Sequence, residues 1–347
     1  MVHRHGPHCT SRRMLLSGLG AAAMLPLARA RAADAPNPRR VDVHHHFFPP
    51  GYVDQMAEVV GNKPSPLMTG WSPAAVLEHM DKTGVATGIA SISPWGPHFK
   101  DAAQARQLAR LSNDYAAQMS RDHPGRFGLF AAMPLPDVDG ALAEIAYALD
   151  TLKADGIGLM TSYGDKYPGD PAFAPVFEEL DRRRAVVYFH PNTPNCCGNL
   201  VPGSNPAMLE WPYDTGRAVL SLLLSGTLAR YPNISWIFSH GGGPVPALAG
   251  RIVNMTRARP DLAQIAPQGV MHELTRLHYD TANAYFPPTM AGLLKFVPVS
   301  QVLFGSDYPY FTLEQNVDGL AEIPLSDAER QAIDRGNAAR LMPRFAG

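Results

Sequence analysis

Cysteine is scarce in this chain: three residues in 347. That number is too small for a disulfide framework. Cys9 lies near the start, and Cys196 and Cys197 are adjacent, where a bridge would be strained. Both are expected as unpaired small residues packed in a loop. Net charge is equally scant, −1 with 18% charged residues. It leaves no long-range field to gather nucleic acid or an acidic membrane. Long apolar runs are missing too, with one exception at the start. What the chain has in quantity is hydrophobic residue, 46% of the total, enough for a large core. Barrels of about 250 residues or more routinely form one domain, so the length does not require two.

The exception is the leader. Ser11-Arg12-Arg13-Met14-Leu15-Leu16 is a twin-arginine pair opening an apolar stretch from Leu15 to Ala28, which exits through Ala28-Arg29-Ala30-Arg31-Ala32. A charged start, a short apolar centre and a small-residue exit make a signal peptide over residues 1–33, with cleavage expected after Ala30 or Ala32. The stretch is short of the roughly 20 apolar residues of a membrane span. The sequence therefore predicts twin-arginine export to the periplasm or the medium, without a stable membrane anchor.

From residue 40 onward, short β-rich apolar runs alternate with helical patterns eight times. The expected strands are Val41–Phe47, Ala86–Ser93, Arg126–Met133, Gly156–Thr161, Val186–His190, Ile234–His240, Leu277–Ala282 and Val302–Ser306. Segments such as Val187-Tyr188-Phe189 are apolar on both faces, as parallel strands covered on both sides must be. Eight such units in one chain predict an α/β fold, a (β/α)₈ TIM barrel forming a single domain over residues 40–347.

The unusual polar residues fall at strand ends. In a parallel barrel the carboxyl ends of the strands converge on one face, where catalytic residues collect. The first strand carries Asp42-Val43-His44-His45-His46. Alternation points His44 and His46 the same way and His45 oppositely, so the outer pair can share a cation while His45 packs or makes a supporting bond. The fifth strand ends in His190 before a proline, the sixth in His240 before Gly241-Gly242-Gly243, and the eighth in Gly305-Ser306-Asp307. Glycines there let the chain turn sharply and let its backbone approach a ligand. Asn283 follows the seventh strand at the same end with its role open. Tyr163, Asp165 and Lys166 follow the fourth strand, where lining the pocket and forming a turn explain them equally well, and they are left out of the site.

The motifs Val-Asp-Val-His-His-His-Phe-Phe-Pro, Tyr-Phe-His-Pro-Asn, Phe-Ser-His-Gly-Gly-Gly and Phe-Gly-Ser-Asp-Tyr-Pro resemble the amidohydrolase superfamily. Within it they resemble the branch related to 2-amino-3-carboxymuconate-6-semialdehyde decarboxylase, over essentially the whole mature chain. Met80 to Thr87, Thr161 to Lys166 and His190 to Pro202 look like its 6-methylsalicylate decarboxylase group. The resemblance implies His44, His46, His190 and Asp307 as ligands of one divalent metal, usually zinc, with manganese in some aromatic decarboxylases. It implies His240 as the nearby acid/base residue, with either His240 or Asp307 as the proton donor in catalysis. No lysine ends the fourth strand, which disfavours a bridged two-metal centre. The family's carboxylate-binding arginine near strand two has no counterpart, since residues 41–105 contain no arginine. Arg251 matches a family arginine that reaches a neighbouring subunit's site, which implies substrate binding by Arg251 and a homodimer.

The activity implied is non-oxidative decarboxylation of a small aromatic hydroxy acid, a carboxy-lyase reaction. The same ligand set would also serve a metal-dependent hydrolase of a lactone or amide. A reading of a different class is an exported protein that binds a metal or an aromatic ligand without turning it over.

Overall fold

Along β5 (Val186–His190) every residue is buried, as a strand apolar on both faces requires. The computed structural model describes residues 39–60, 65–92, 96–97, 101–197 and 200–346; the predicted leader lies outside them. These residues belong to one compact unit, Asn37–Gly347. Eight strands follow in order: β1 (Arg40–His46), β2 (Val85–Ser91), β3 (Phe127–Ala132), β4 (Gly156–Met160), β5, β6 (Ser235–Phe238), β7 (His278–Asp280) and β8 (Val302–Leu303). Each pairs in parallel with the next. The ring closes through Val43 N–H to Phe304 O (3.0 Å) and His46 N–H to Tyr308 O (2.8 Å). The predicted (β/α)₈ barrel is the observed fold. Among the described residues, no helix is long and apolar enough to cross a membrane.

Alternation divides the core into two layers. Val187 and Phe189 pack outward with Trp236 and Phe238 against the helices, while Val186, Tyr188, Phe130, Ile237 and Leu303 fill the barrel. On β5, His190 shares the inward parity of Val186 and Tyr188. On β1, Val41 and Val43 belong to the interior cluster, yet His44 and His46 face the site. A register irregularity between Asp42 and His45 accounts for the change, because a bulge re-aims the side chains beyond it.

The last three strands are shorter than their apolar runs predict. β6 stops at Phe238, β7 at Asp280 and β8 at Leu303. Beyond them the backbone leaves the ladder, and His240, Asn283 and Asp307 take positive φ values of 55°, 54° and 62°. That conformation costs a side-chain-bearing residue about 1–2 kcal/mol and is characteristic of functional sites. Between β3 and β4 the helix Val138–Ala146 is followed by a π turn to Thr151.

One expectation is corrected outright. Cys196 and Cys197 form a disulfide, their Cα atoms 3.7 Å apart, because the turn at residues 195–197 brings the two sulfurs together.

Candidate metal and catalytic site

The three strand-borne imidazoles are oriented by the nitrogen they turn away from the barrel axis. His44 Nδ1–H donates to Asp280 Oδ2 at 3.0 Å, His46 Nδ1–H to Ser91 O at 3.2 Å, and His190 Nδ1–H to Pro191 O at 2.8 Å. A neutral imidazole bonded through Nδ1–H to a carbonyl or carboxylate keeps its other nitrogen for a ligand, so each ring turns Nε2 to the centre. There the nitrogens meet the carboxylate of Asp307. Its Oδ1 lies 3.2 Å from His44 Nε2 and 3.1 Å from His46 Nε2. The ligand atoms of His44, His46, His190 and Asp307 all fall within 4.8 Å of one another, and all four residues are buried.

Among the described residues His190 Nε2 has no hydrogen-bond partner, although it is buried. A buried, unpaired imidazole nitrogen aimed at two others and a carboxylate is what a cation site requires, and the donor set fits one. Charge agrees. Burial pushes His46 and His190 below their ordinary pKa, leaving the neutral imidazole that binds metal. Burial opposes charge on His44 as well, but Asp307 and Asp280 outweigh it and raise its pKa to about 10. Burial alone would raise Asp307; instead the charge of His44 beside it holds it well below the usual carboxylate range. This negative pole would attract a metal cation in place of the His44 proton.

His240 stands beside the cluster. Its Nδ1–H donates to Ala282 O at 3.1 Å, leaving Nε2 4.0 Å from Asp307 Oδ2. Burial lowers its pKa. The three glycines after it answer mainly to packing: a side chain at Gly242 would collide with the Tyr279 ring, and one at Gly243 with the Pro212 carbonyl. His45, as expected, makes a supporting bond, its Nδ1–H donating to Asp42 Oδ2 at 2.9 Å.

A cavity of about 600 Å³ opens over the cluster, lined by Trp211, Pro212, His240, Asn283, Asp307 and Tyr310 among others. The ring of Trp211 lies 5.9 Å from that of His190, and the ring of Tyr310 5.5 Å from that of His46. Among the described residues no lysine or arginine lines this cavity. Arg251 is exposed on the helix Val245–Thr256 and does not line its own chain's cavity. A second cavity of about 610 Å³, between Arg39, Arg126, Arg335 and Arg344, holds none of these groups. Tyr163 and Lys166 pair through their backbones in the expected turn.

Two carboxylates escaped the sequence reading. Asp280 accepts from His44, from the backbone N–H of His240 (2.8 Å) and from that of Ala282 (3.0 Å). Asp42 accepts from the backbone N–H of His44 and of Ser306, tying β1 to the segment after β8. Asp280 ends the apolar run of β7 as His190 ends that of β5, and this was the available signal.

A sequence profile of the amidohydrolase family matches residues 41–344. The chain belongs to the amidohydrolase family. It is 36% identical over 323 residues to the decarboxylase macB of Penicillium terrestre, covering 88% of this chain and 95% of that one. It is 33% identical over 315 residues to the 6-methylsalicylic acid decarboxylase of Penicillium expansum, covering 89% and 97%. Among solved structures, an amidohydrolase superposes with a TM-score of 0.81 at 27% identity, over 88% of this chain and 99% of that one. A dihydroxybenzoic acid decarboxylase from Polaromonas sp. JS666, solved with manganese and an inhibitor, shares the fold at a TM-score of 0.78 and 21% identity, over 88% and 96%.

Proposed function

We propose that this protein is a metal-dependent, non-oxidative decarboxylase of a small aromatic hydroxy acid such as 6-methylsalicylate. The observation that carries the reading is the cluster of three inward Nε2 atoms and one carboxylate under an aromatic-walled cavity. Supporting it, the chain is 33–36% identical, over most of its length, to relatives named as decarboxylases. A divalent cation held by His44, His46, His190 and Asp307 would supply Lewis-acid charge to a substrate carboxylate and its ortho hydroxyl. Three imidazoles and a carboxylate suit zinc, which we assign ahead of manganese.

Trp211 and Tyr310 flank the ring and orient it. His240 takes up a proton from solvent at Nε2, the nitrogen that faces Asp307 Oδ2 at 4.0 Å, and delivers it to the ring carbon that bears the carboxylate. The carbon–carboxylate bond then breaks, CO₂ leaves, and the ring regains aromaticity.

Arg251 we assign to the site of a second subunit in a homodimer. Exposed Leu248 and Met255 lie on the same face of its helix, at spacings of three and four residues. Export through the twin-arginine leader we retain as a proposal, supported by Arg12-Arg13 and the apolar stretch after them.

The test is incubation of metal-loaded protein with 6-methylsalicylate and other hydroxybenzoates while CO₂ is trapped. One metal per chain with CO₂ release is expected. One metal with no CO₂ from any of them would sink the decarboxylase reading and favour hydrolysis.

A further inference from the structure

Asp214, on the helix Glu210–Leu224, is fully buried and lies outside the metal cluster. Three hydroxyls donate to it: Thr161 at 2.5 Å, Ser162 at 2.9 Å and Tyr167 at 2.6 Å. The guanidinium of Arg217 stays 3.8 Å away, beyond hydrogen-bond range. Burying a carboxylate is costly unless it is well bonded. An uncharged amide could tie the same segments, so the charge calls for a use of its own.

One of the three bonds leads back to the site. Thr161 follows β4, and its backbone N–H donates to His190 O at 3.0 Å. Its hydroxyl has a single proton, which goes to Asp214, while its oxygen accepts the backbone N–H of Asn192 at 2.9 Å. That N–H shares a rigid peptide plane with the Pro191 carbonyl. The Pro191 carbonyl in turn accepts His190 Nδ1–H at 2.8 Å. A continuous chain thus runs from Asp214 to the imidazole whose Nε2 faces the cluster. Each bond in such a chain strengthens the next. The charge of Asp214 makes the Pro191 carbonyl a better acceptor, and His190 Nε2 a better electron-pair donor to a cation.

The geometry points to Asp214 as a positioning residue for His190, acting through the Thr161 hydroxyl and the Pro191–Asn192 peptide. It fixes the ring and raises the basicity of Nε2 toward the metal. The inference rests on the proposed metal site and adds to it a carboxylate that touches neither metal nor substrate.

The experiment measures zinc affinity, by competition with a chelator, and urea unfolding of the metal-free protein. Parent is compared with Asp214→Asn, Thr161→Val, Thr161→Ser and Ser162→Ala. Asp214→Asn and Thr161→Val should bind zinc about ten-fold more weakly, the lower end of the effect of partners that orient ligands. Thr161→Ser restores the hydroxyl and should bind zinc as the parent does. Ser162→Ala removes a donor to Asp214 that lies off the chain, and should lower stability while keeping zinc affinity. Zinc affinity that simply follows stability across all four variants means loosening of the fold and overturns the inference. Zinc bound by Asp214→Asn or Thr161→Val as tightly as by the parent overturns it too. Should Asp214→Asn fail to fold, Thr161→Val against Thr161→Ser carries the comparison. A parent that binds no zinc overturns the metal assignment and this inference with it. A parent that binds zinc but releases no CO₂ from any hydroxybenzoate overturns the decarboxylase reading and leaves the zinc comparison readable.

Discussion

Asn283 Nδ2–H donates to Asp307 Oδ2 at 3.1 Å, and this bond divides the work of one carboxylate. Oδ1 is left to the imidazoles of His44 and His46, while Oδ2 faces His240 Nε2 at 4.0 Å. Asn283 holds a φ of 54°, which asparagine tolerates and glycine adopts freely. Asn283→Gly therefore removes the amide without opposing the backbone. It should lower metal affinity and turnover by about ten-fold each, since partners that orient ligands are worth about 10–100-fold. Competition with a chelator and steady-state kinetics read the two effects. Unchanged values in both would show that Asp307 is held by its metal and imidazole neighbours alone.

Asp280 fixes two groups at once. Its Oδ2 accepts from His44 Nδ1–H, and its Oδ1 from the backbone N–H of His240. Asp280→Asn keeps the shape and removes the charge, and one amide orientation places N–H against N–H. Metal affinity should fall by about 10–100-fold. Turnover at saturating metal should fall as well, because His240 is displaced with it. A variant that binds metal normally would mean that the bulge in β1 already orients His44.

The fold was legible because its signals are local. Each strand is an apolar run of a few residues, and the polar residues closing those runs, His190, His240 and Asp307, sit on the strand ends of one barrel face. The His44-x-His46 spacing declared itself for the same reason. What stayed hidden depends on pairings across the barrel. His44 and Asp280 lie 236 residues apart in sequence, and Asp42 and Ser306 lie 264 apart. Nothing near either member reveals its partner.

His240 lies outside the four-residue cluster and is held by its own backbone N–H and Nδ1–H. His240→Ala should retain metal and lose turnover by about 10²–10⁴-fold, the range of a general acid or base. His240→Asn, which accepts the positive φ of 55°, guards against a backbone effect. Metal analysis beside a CO₂ assay decides the matter. Loss of metal from both variants would move His240 from proton transfer to ligation.

His278, on β7 away from the cluster, predicts how stability depends on pH. The residue is 9% exposed, its Nδ1–H donates to Trp236 O, and burial pushes its pKa from 6.5 down to about 4. In the unfolded chain the imidazole takes up its proton near pH 6.5, while the folded protein resists until about pH 4. The unfolded state thus binds more protons in this window, so the contribution is complete above pH 6.5 and is lost as pH falls toward 4. At about 1.4 kcal/mol for each pKa unit, the full loss is roughly 3 kcal/mol. His278→Gln removes the titration and keeps a donor for the Trp236 carbonyl. Urea unfolding of parent and variant at pH 7 and near pH 4.5 tests it, because acid effects on the metal cluster are common to both and cancel. The parent should lose about 2–3 kcal/mol more than the variant across that interval. Equal losses would mean that the interior of β7 admits the imidazolium without penalty.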